Sequence, residues 1–121
     1  MRVLSIDHIQ IAMPEGEEDQ ARAFYVGVLG FTEIPKPVEL ARRGGAWFQS
    51  GNVQLHLGVE SGFRPARKAH PAFLVSDLDA LLARVRETGY EADTSQLPLD
   101  GYRRAHVFDP FGNRIERMER L

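Results

Sequence analysis

The second half of this chain restarts the pattern of the first, and that repeat limits the available folds more than any other feature. His8 and His70 stand 62 residues apart, each in a segment of strand-like alternation. Gly30-Phe31 and Gly89-Tyr90 stand 59 apart, each closing a helical pattern. Gly51-Asn52 and Gly112-Asn113 stand 61 apart, each turning into a last strand. A period near sixty, with strand, helix and three strands in each copy, describes an internal duplication of a βαβββ unit. The spacing also leaves room for the crossover helix that strands of one sheet need.

The elements follow from local patterning. Over residues 5–13, Ile9, Ile11 and Met13 share one face and His8, Gln10 and Ala12 the other, a period of two that predicts a strand. From Glu17 to Leu29, residues Ala21, Phe24, Tyr25, Val28 and Leu29 recur at helical spacing, and Gly30 supplies a left-handed C-cap. Strands are expected near 44–50 and 53–59, joined through Ser50-Gly51-Asn52. Residues 60–69 carry Gly62, Pro65, Arg64, Arg67 and Lys68, a natural linker. A further strand begins at His70. Ser76 or Asp77 then caps a helix in which Leu78, Leu81, Leu82 and Val85 line one face. The last strands, near 103–108 and 113–119, flank Asp109-Pro110-Phe111-Gly112-Asn113, a well-specified turn. The expected class is therefore α+β. A single domain spans 1–121, with module one at about 4–60, a linker at about 61–69 and module two at about 70–121.

With 121 residues there is no room for a second independent core. A net charge of −2 gives no electrostatic footprint for nucleic acid or an anionic membrane surface. No apolar run approaches the roughly 20 residues of a membrane span, and Arg2 and Asp7 interrupt the region where a signal peptide would be apolar. The reading is a cytoplasmic protein. The absence of cysteine excludes disulfides, thiolate nucleophiles and zinc fingers, so any metal must be held by imidazole nitrogen and carboxylate oxygen.

Those ligand types occupy matched places. His8 and His70 lie in the first strands of the two modules, His56 and Glu116 in the last. If a pseudo-twofold axis relates the modules, the four side chains converge on the faces opposite the helices. Three imidazoles and a carboxylate suit Zn, Mn, Fe, Co or Ni rather than Ca or Mg alone. One count disturbs the symmetry. Glu116 is three past Asn113, whereas His56 is four past Asn52, and a one-residue slip reverses a strand's faces. A bulge in one hairpin is the expected resolution. Glu116 also lies among Arg114, Arg117 and Arg120, where it could simply form a surface ion pair. His106 has no counterpart in the first half and is expected to be structural or superficial. Gln10 and Gln54 would flank a metal. Arg64, Arg67 and Lys68, with Arg103 and Arg104, are either contacts for an anionic substrate or a solvated basic surface. Trp47, Phe48, Phe63, Tyr102 and Phe111 are either pocket lining or core.

Together, Asp7-His8-Ile9-Gln10-Ile11-Ala12, Phe24-Tyr25 with Leu29-Gly30-Phe31, His70-Pro71-Ala72-Phe73-Leu74-Val75 and the closing Asp109-Pro110-Phe111-Gly112-Asn113-Arg114-Ile115-Glu116 resemble the vicinal-oxygen-chelate superfamily of glyoxalases, bleomycin-resistance proteins and dioxygenases. The resemblance spans essentially the whole chain and implies two tandem βαβββ modules whose curved mixed sheet encloses a cleft. It also implies that His8, His70 and Glu116 bind a divalent metal, and that His56 stands where glyoxalase-like members place a fourth ligand able to act as a base. That position is usually a carboxylate, so the histidine departs from the glyoxalase pattern. The implied function is metal-dependent work on a small substrate that chelates the ion through adjacent oxygens, as a lyase or isomerase, a transferase or a dioxygenase. In that function His56 and Glu116 would move protons. The alternative is a metal-free binding protein of the bleomycin-resistance type. The resemblance further implies a homodimer.

Overall fold

The computed structural model describes residues 1–121. The chain divides into two units, Met1–Phe63 and Arg64–Leu121, and each builds one four-stranded mixed sheet with a helix on one face.

In the first unit the elements are β1 (Ile9–Met13), α1 (Glu18–Tyr25), β2 (Thr32–Ile34), the short α2 (Val38–Ala41), β3 (Ala46–Ser50) and β4 (Val53–Val59). The strand order is β1-β4-β3-β2. The first strand lies parallel to the last, with Gln10 opposite His56, while β3 and β4 form an antiparallel hairpin with Trp47 opposite His56. Alternation then divides the residues by face. Ala46, Phe48, Leu55 and Leu57 are fully buried with Phe24 and Tyr25 of α1, and Tyr25 stacks on Phe48 at 5.4 Å between ring centroids. Trp47 and His56 take the other face.

The helix expected to run to Leu29 ends as regular α-structure at Tyr25. Beyond it, Gly27 and Leu29 donate five residues back, to the Arg22 and Phe24 carbonyls, and these wider turns carry the chain to Gly30. A side chain at Gly27 would lie 2.4 Å from the Ala23 carbonyl oxygen, so glycine permits that departure.

In the second unit the elements are β5 (Ala72–Leu74), α3 (Leu78–Glu87), β6 (Ala92–Asp93), β7 (Tyr102–Phe108) and β8 (Arg114–Arg120), in the order β5-β8-β7-β6. Asp77 caps α3 by accepting from the Ala80 amide at 2.9 Å. Leu78, Leu82 and Val85 are buried on the same side of the unit as Ala105, Val107 and Ile115. Here too the first strand lies parallel to the last, with Ala72 opposite Glu116, and His106 faces Glu116 across the β7–β8 hairpin.

No bulge is present. The β3–β4 and β7–β8 ladders are both continuous. The one-residue slip comes from loop length: Gly51-Asn52 is a two-residue turn between Ser50 and Val53, whereas Asp109–Asn113 is a five-residue loop between Phe108 and Arg114. His56 and Glu116 therefore occupy the same place in their modules, and Trp47 and His106 occupy another. Asp109 holds the longer loop: its Oδ1 accepts from the Phe111 and Asn113 amides at 2.9 and 2.8 Å, and its Oδ2 accepts from Asn113 Nδ2 at 2.9 Å.

Gly45, at φ +83°, enters β3 so closely that a Cβ would stand 2.1 Å from the Leu57 carbonyl oxygen. Gly45→Ala should cost about 1–3 kcal/mol and lower Tm visibly in calorimetry. Gly30→Ala, where a Cβ meets nothing within 4 Å, should cost only the left-handed penalty of roughly 1 kcal/mol. Equal losses at the two positions would contradict the packing of β3 on β4.

Candidate metal centre in the second module

His8 directly precedes β1. Its ring lies over His56 at 4.2 Å between centroids with 14° between planes, and Trp47 covers the His56 ring at 3.9 Å and 5°. The three rings form a stacked column. Stacking sets imidazole faces, not nitrogen lone pairs, towards one another. His56 is only 4% exposed, and its Nε2 lies 3.3 Å from Gln54 Oε1. Since that amide oxygen only accepts, Nε2 carries the proton of this bond. Burial lowers the His56 pKa, and the neighbouring His8 lowers it further. Gln10 turns back over β4, where a Cβ at Gly58 would come within 2.7 Å of its Nε2.

The second module is arranged differently. Glu116 is 6% exposed, and its Oε1 lies 3.0 Å from His70 Nε2 and 3.5 Å from His106 Nε2. Its Oε2 lies 3.4 Å from Arg104 Nη1, and the Arg104 guanidinium is itself anchored by two donations to the Leu97 carbonyl at 3.0 and 2.7 Å. Burial alone would raise the Glu116 carboxyl pKa, but the neighbouring His70, Arg104 and His106 side chains outweigh it, and the group stays below its ordinary value. Burial lowers the His106 pKa, with Glu116 opposing and Arg114 adding to the effect.

The protonation of His70 carries the most information. Its Nδ1 lies 2.7 Å from the Lys68 carbonyl oxygen, which can only accept, so Nδ1 holds a proton. Nε2 of a neutral ring is then a bare lone pair, facing a carboxylate oxygen at 3.0 Å. The contact is attractive only if a proton, carried by the ring or by the carboxyl group, or another cation is shared between the two atoms. A ligating histidine whose other nitrogen donates to a backbone carbonyl is the usual outer-shell arrangement at metal sites. The ligand atoms of His70, His106 and Glu116 all lie within 4.8 Å of one another, and the three residues could hold a metal ion.

The expected residues thus fall into two pairs, His8 with His56 and His70 with Glu116, each within its own module. Glu116 is not a surface ion pair with its strand neighbours, being buried and paired to Arg104 and His106 of β7 and to His70 just before β5. Arg103 and Arg104 separate: Arg103 pairs with Asp79 and Glu119, while Arg104 serves Glu116. Arg67 and Arg114 line a cavity of about 320 Å³ with Pro65, Ala66, Phe108 and Gly112. Phe48 is core, while Trp47 joins the stacked column.

His106, expected to be structural or superficial, is instead 3% exposed and beside Glu116. The signal lay in the hairpin: His106 and Glu116 are each five residues from Phe111, the centre of the loop.

The family model of the Glyoxalase/Bleomycin resistance protein/Dioxygenase superfamily matches residues 5–117. The chain belongs to this superfamily. Among solved structures it is similar to a protein described as of the glyoxalase family from Bacillus anthracis, with 47% identity, full coverage of both chains and a TM-score of 0.93. The fosfomycin resistance protein FosX from Listeria monocytogenes shares the fold at 15% identity and TM-score 0.78, covering 99% of this chain and 96% of that one. So does the antibiotic binding protein TnmS3 from Streptomyces sp. CB03234, at 23% identity and TM-score 0.71, covering 98% and 100%. No curated protein matches the chain. No helix is long and apolar enough to cross a membrane.

Trp47 is the sole tryptophan, so its emission reports on the ring stacked against it. In metal-free protein, emission should fall as His56 gains a proton, with a midpoint below 6.5. The unfolded chain takes up that proton first. Stability linked to His56 is therefore full above about pH 6.5 and is lost as pH falls through the folded value. A midpoint at or above 6.5, or an unaltered titration in His56→Phe, would contradict the stacked, buried placement.

Proposed function

We propose that this chain is a metal-dependent member of its superfamily that acts on a small substrate offering two adjacent oxygens. The observation that carries the reading is the contact of His70 Nε2 with Glu116 Oε1, which calls for a shared proton or a shared metal ion once the Lys68 carbonyl has claimed the proton on Nδ1. The donor set fits a divalent ion of the Zn, Ni, Mn, Fe or Co group. His70 and Glu116 would hold it. Such an ion acts as a Lewis acid towards a bound oxygen. Arg104 keeps Glu116 Oε2 engaged, so that Oε1 is the oxygen presented to the site. His56, neutral because burial disfavours its charged form, is the candidate proton carrier together with Glu116. Lyase, isomerase, transferase and dioxygenase chemistry all fit this description, since the fold does not choose among them.

One observation favours a second reading. The column of His8, His56 and Trp47 offers flat ring faces rather than converging donors, which suits metal-free binding of a planar compound. The antibiotic binding protein TnmS3 shares the fold.

We further propose a cytoplasmic homodimer. Val3, Leu4 and Ile6 are 87%, 83% and 77% exposed, and β1 and β5 are edge strands of their sheets. Covering such surface favours association. Light scattering should give about twice the 13.6 kDa chain mass, and Leu4→Asp with Ile6→Asp should return it to the monomer value.

Plasma mass spectrometry of untagged protein should find about one metal equivalent per chain, lost in His70→Ala and Glu116→Ala. A wild type that stays empty after incubation with Zn, Ni, Mn, Fe or Co would leave the metal-free reading standing.

A further inference from the structure

Of the five arginines on β7 and β8, four are occupied. Arg103 pairs with Asp79 and Glu119, Arg104 with Glu116 and the Leu97 carbonyl, while Arg117 lies over the Phe73 ring and Arg120 over that of Tyr102. Arg114 has no hydrogen-bond or ion-pair partner. The acids beside it are committed elsewhere. Glu116 gives Oε1 to His70 and His106 and Oε2 to Arg104, and Asp109 holds its own loop through the Phe111 and Asn113 amides.

Arg114 instead lines the cavity of about 320 Å³ together with Arg67 of the linker, whose guanidinium is also unpartnered. The lining holds these two cations and no carboxylate. Two like charges on one concave surface raise its potential, and the apolar walls of Pro65, Ala66 and Phe108 focus that field. The cavity is held in shape from the linker side. Gly112, at φ +89°, lets Pro65 approach so closely that a Cβ there would stand 3.3 Å from Pro65 Cγ. Arg67, two residues after Pro65, is thereby kept at the same cavity as Arg114.

We propose that this cavity is an oxyanion subsite, in which Arg67 and Arg114 grip a carboxylate or phosphoryl group. A guanidinium presents a planar fork that matches either group through paired N–H···O bonds. The inference names a substrate class for the metal-dependent reading above, and rests on that reading for the link to the ion but not for the binding of the anion. Arg114 faces Phe108 across the hairpin as Glu116 faces His106, so Arg114 and Glu116 share one face of β8. Two residues of strand separate them by about 7 Å. The substrate is then a small molecule whose negatively charged end lies at roughly that distance from its two adjacent oxygens. The charged end is held at the loop while the oxygens reach His70 and Glu116.

The test uses metal-depleted full-length protein in the presence of a chelator, so that no ion recruits the anion. Inorganic phosphate and acetate are titrated separately at constant ionic strength in chloride, and the arginine Nε–Hε resonances are followed by NMR. Those of Arg67 and Arg114 should shift together and saturate with one Kd, and the tighter probe names the end group. Arg67→Gln and Arg114→Gln should each weaken binding at least about tenfold, the loss expected for a charge-assisted bond. Arg64→Gln removes a linker cation that does not line the cavity and should change affinity by less than about twofold. Melting curves check the fold, and if Arg114→Gln does not melt cooperatively, Arg67→Gln on the exposed linker decides. Shifts that do not saturate, or wild-type affinity in the Arg67 and Arg114 variants, would overturn the subsite. Zn(II) uptake is measured apart: a chain that binds phosphate or acetate but no Zn(II) loses the metal reading and keeps the subsite, and one that binds Zn(II) but neither anion loses the subsite alone.

Discussion

The parallel pairing of first and last strands within each module governs where every chemically capable side chain goes. A parallel pair cannot be closed by a tight hairpin, so the chain must leave β1 or β5, cross by a helix and return. The intervening strands then lie on the far side of the returning strand, giving the orders β1-β4-β3-β2 and β5-β8-β7-β6. Pairing Ala72 with Glu116 brings His70, two residues earlier and on the same face, to the carboxylate. Pairing Gln10 with His56 does the same for His8. Helix packing assigns the faces: with Leu55, Leu57, Val107 and Ile115 buried, His56, His106 and Glu116 must point the other way.

Once the scaffold is duplicated, chemistry depends on what stands at a few equivalent places. The first module carries Trp47 and His56 where the second carries His106 and Glu116. Aromatic against imidazole makes a stack. Imidazole against carboxylate makes a polar cluster that needs positive charge. Arg104 supplies part of it on the outer oxygen, and the inner oxygen faces two histidine nitrogens. A buried carboxylate is costly unless it is paired and hydrogen-bonded, so this cluster is tuned either to a shared proton or to a shared ion.

Much of this was legible in the residues. The period near sixty, the Asp77 cap and the Asp109–Asn113 turn each state a local rule that tertiary packing did not override. Strand position singled out His8, His56, His70 and Glu116, but their grouping as His8 with His56 and His70 with Glu116 comes from the parallel ladders. What escaped was register. Gly51-Asn52 and Gly112-Asn113 read alike in sequence, yet one is a whole turn and the other the end of a five-residue loop, and only the ladders show it. The same difference in loop length hid His106, whose partner is fixed by the hairpin rather than by any repeat. The early end of α1 escaped as well, because Gly27 and Gly30 both sit in a helical pattern, and packing decides which of them loosens the turn.

The central claim is that the second module holds a divalent ion between His70 and Glu116. Crystals grown with Zn(II) and measured on both sides of its absorption edge test it most directly. An anomalous peak within bonding distance of His70 Nε2 and Glu116 Oε1 is the predicted result. A map with no peak there, or with its peak at the His8–His56 column instead, would contradict the account.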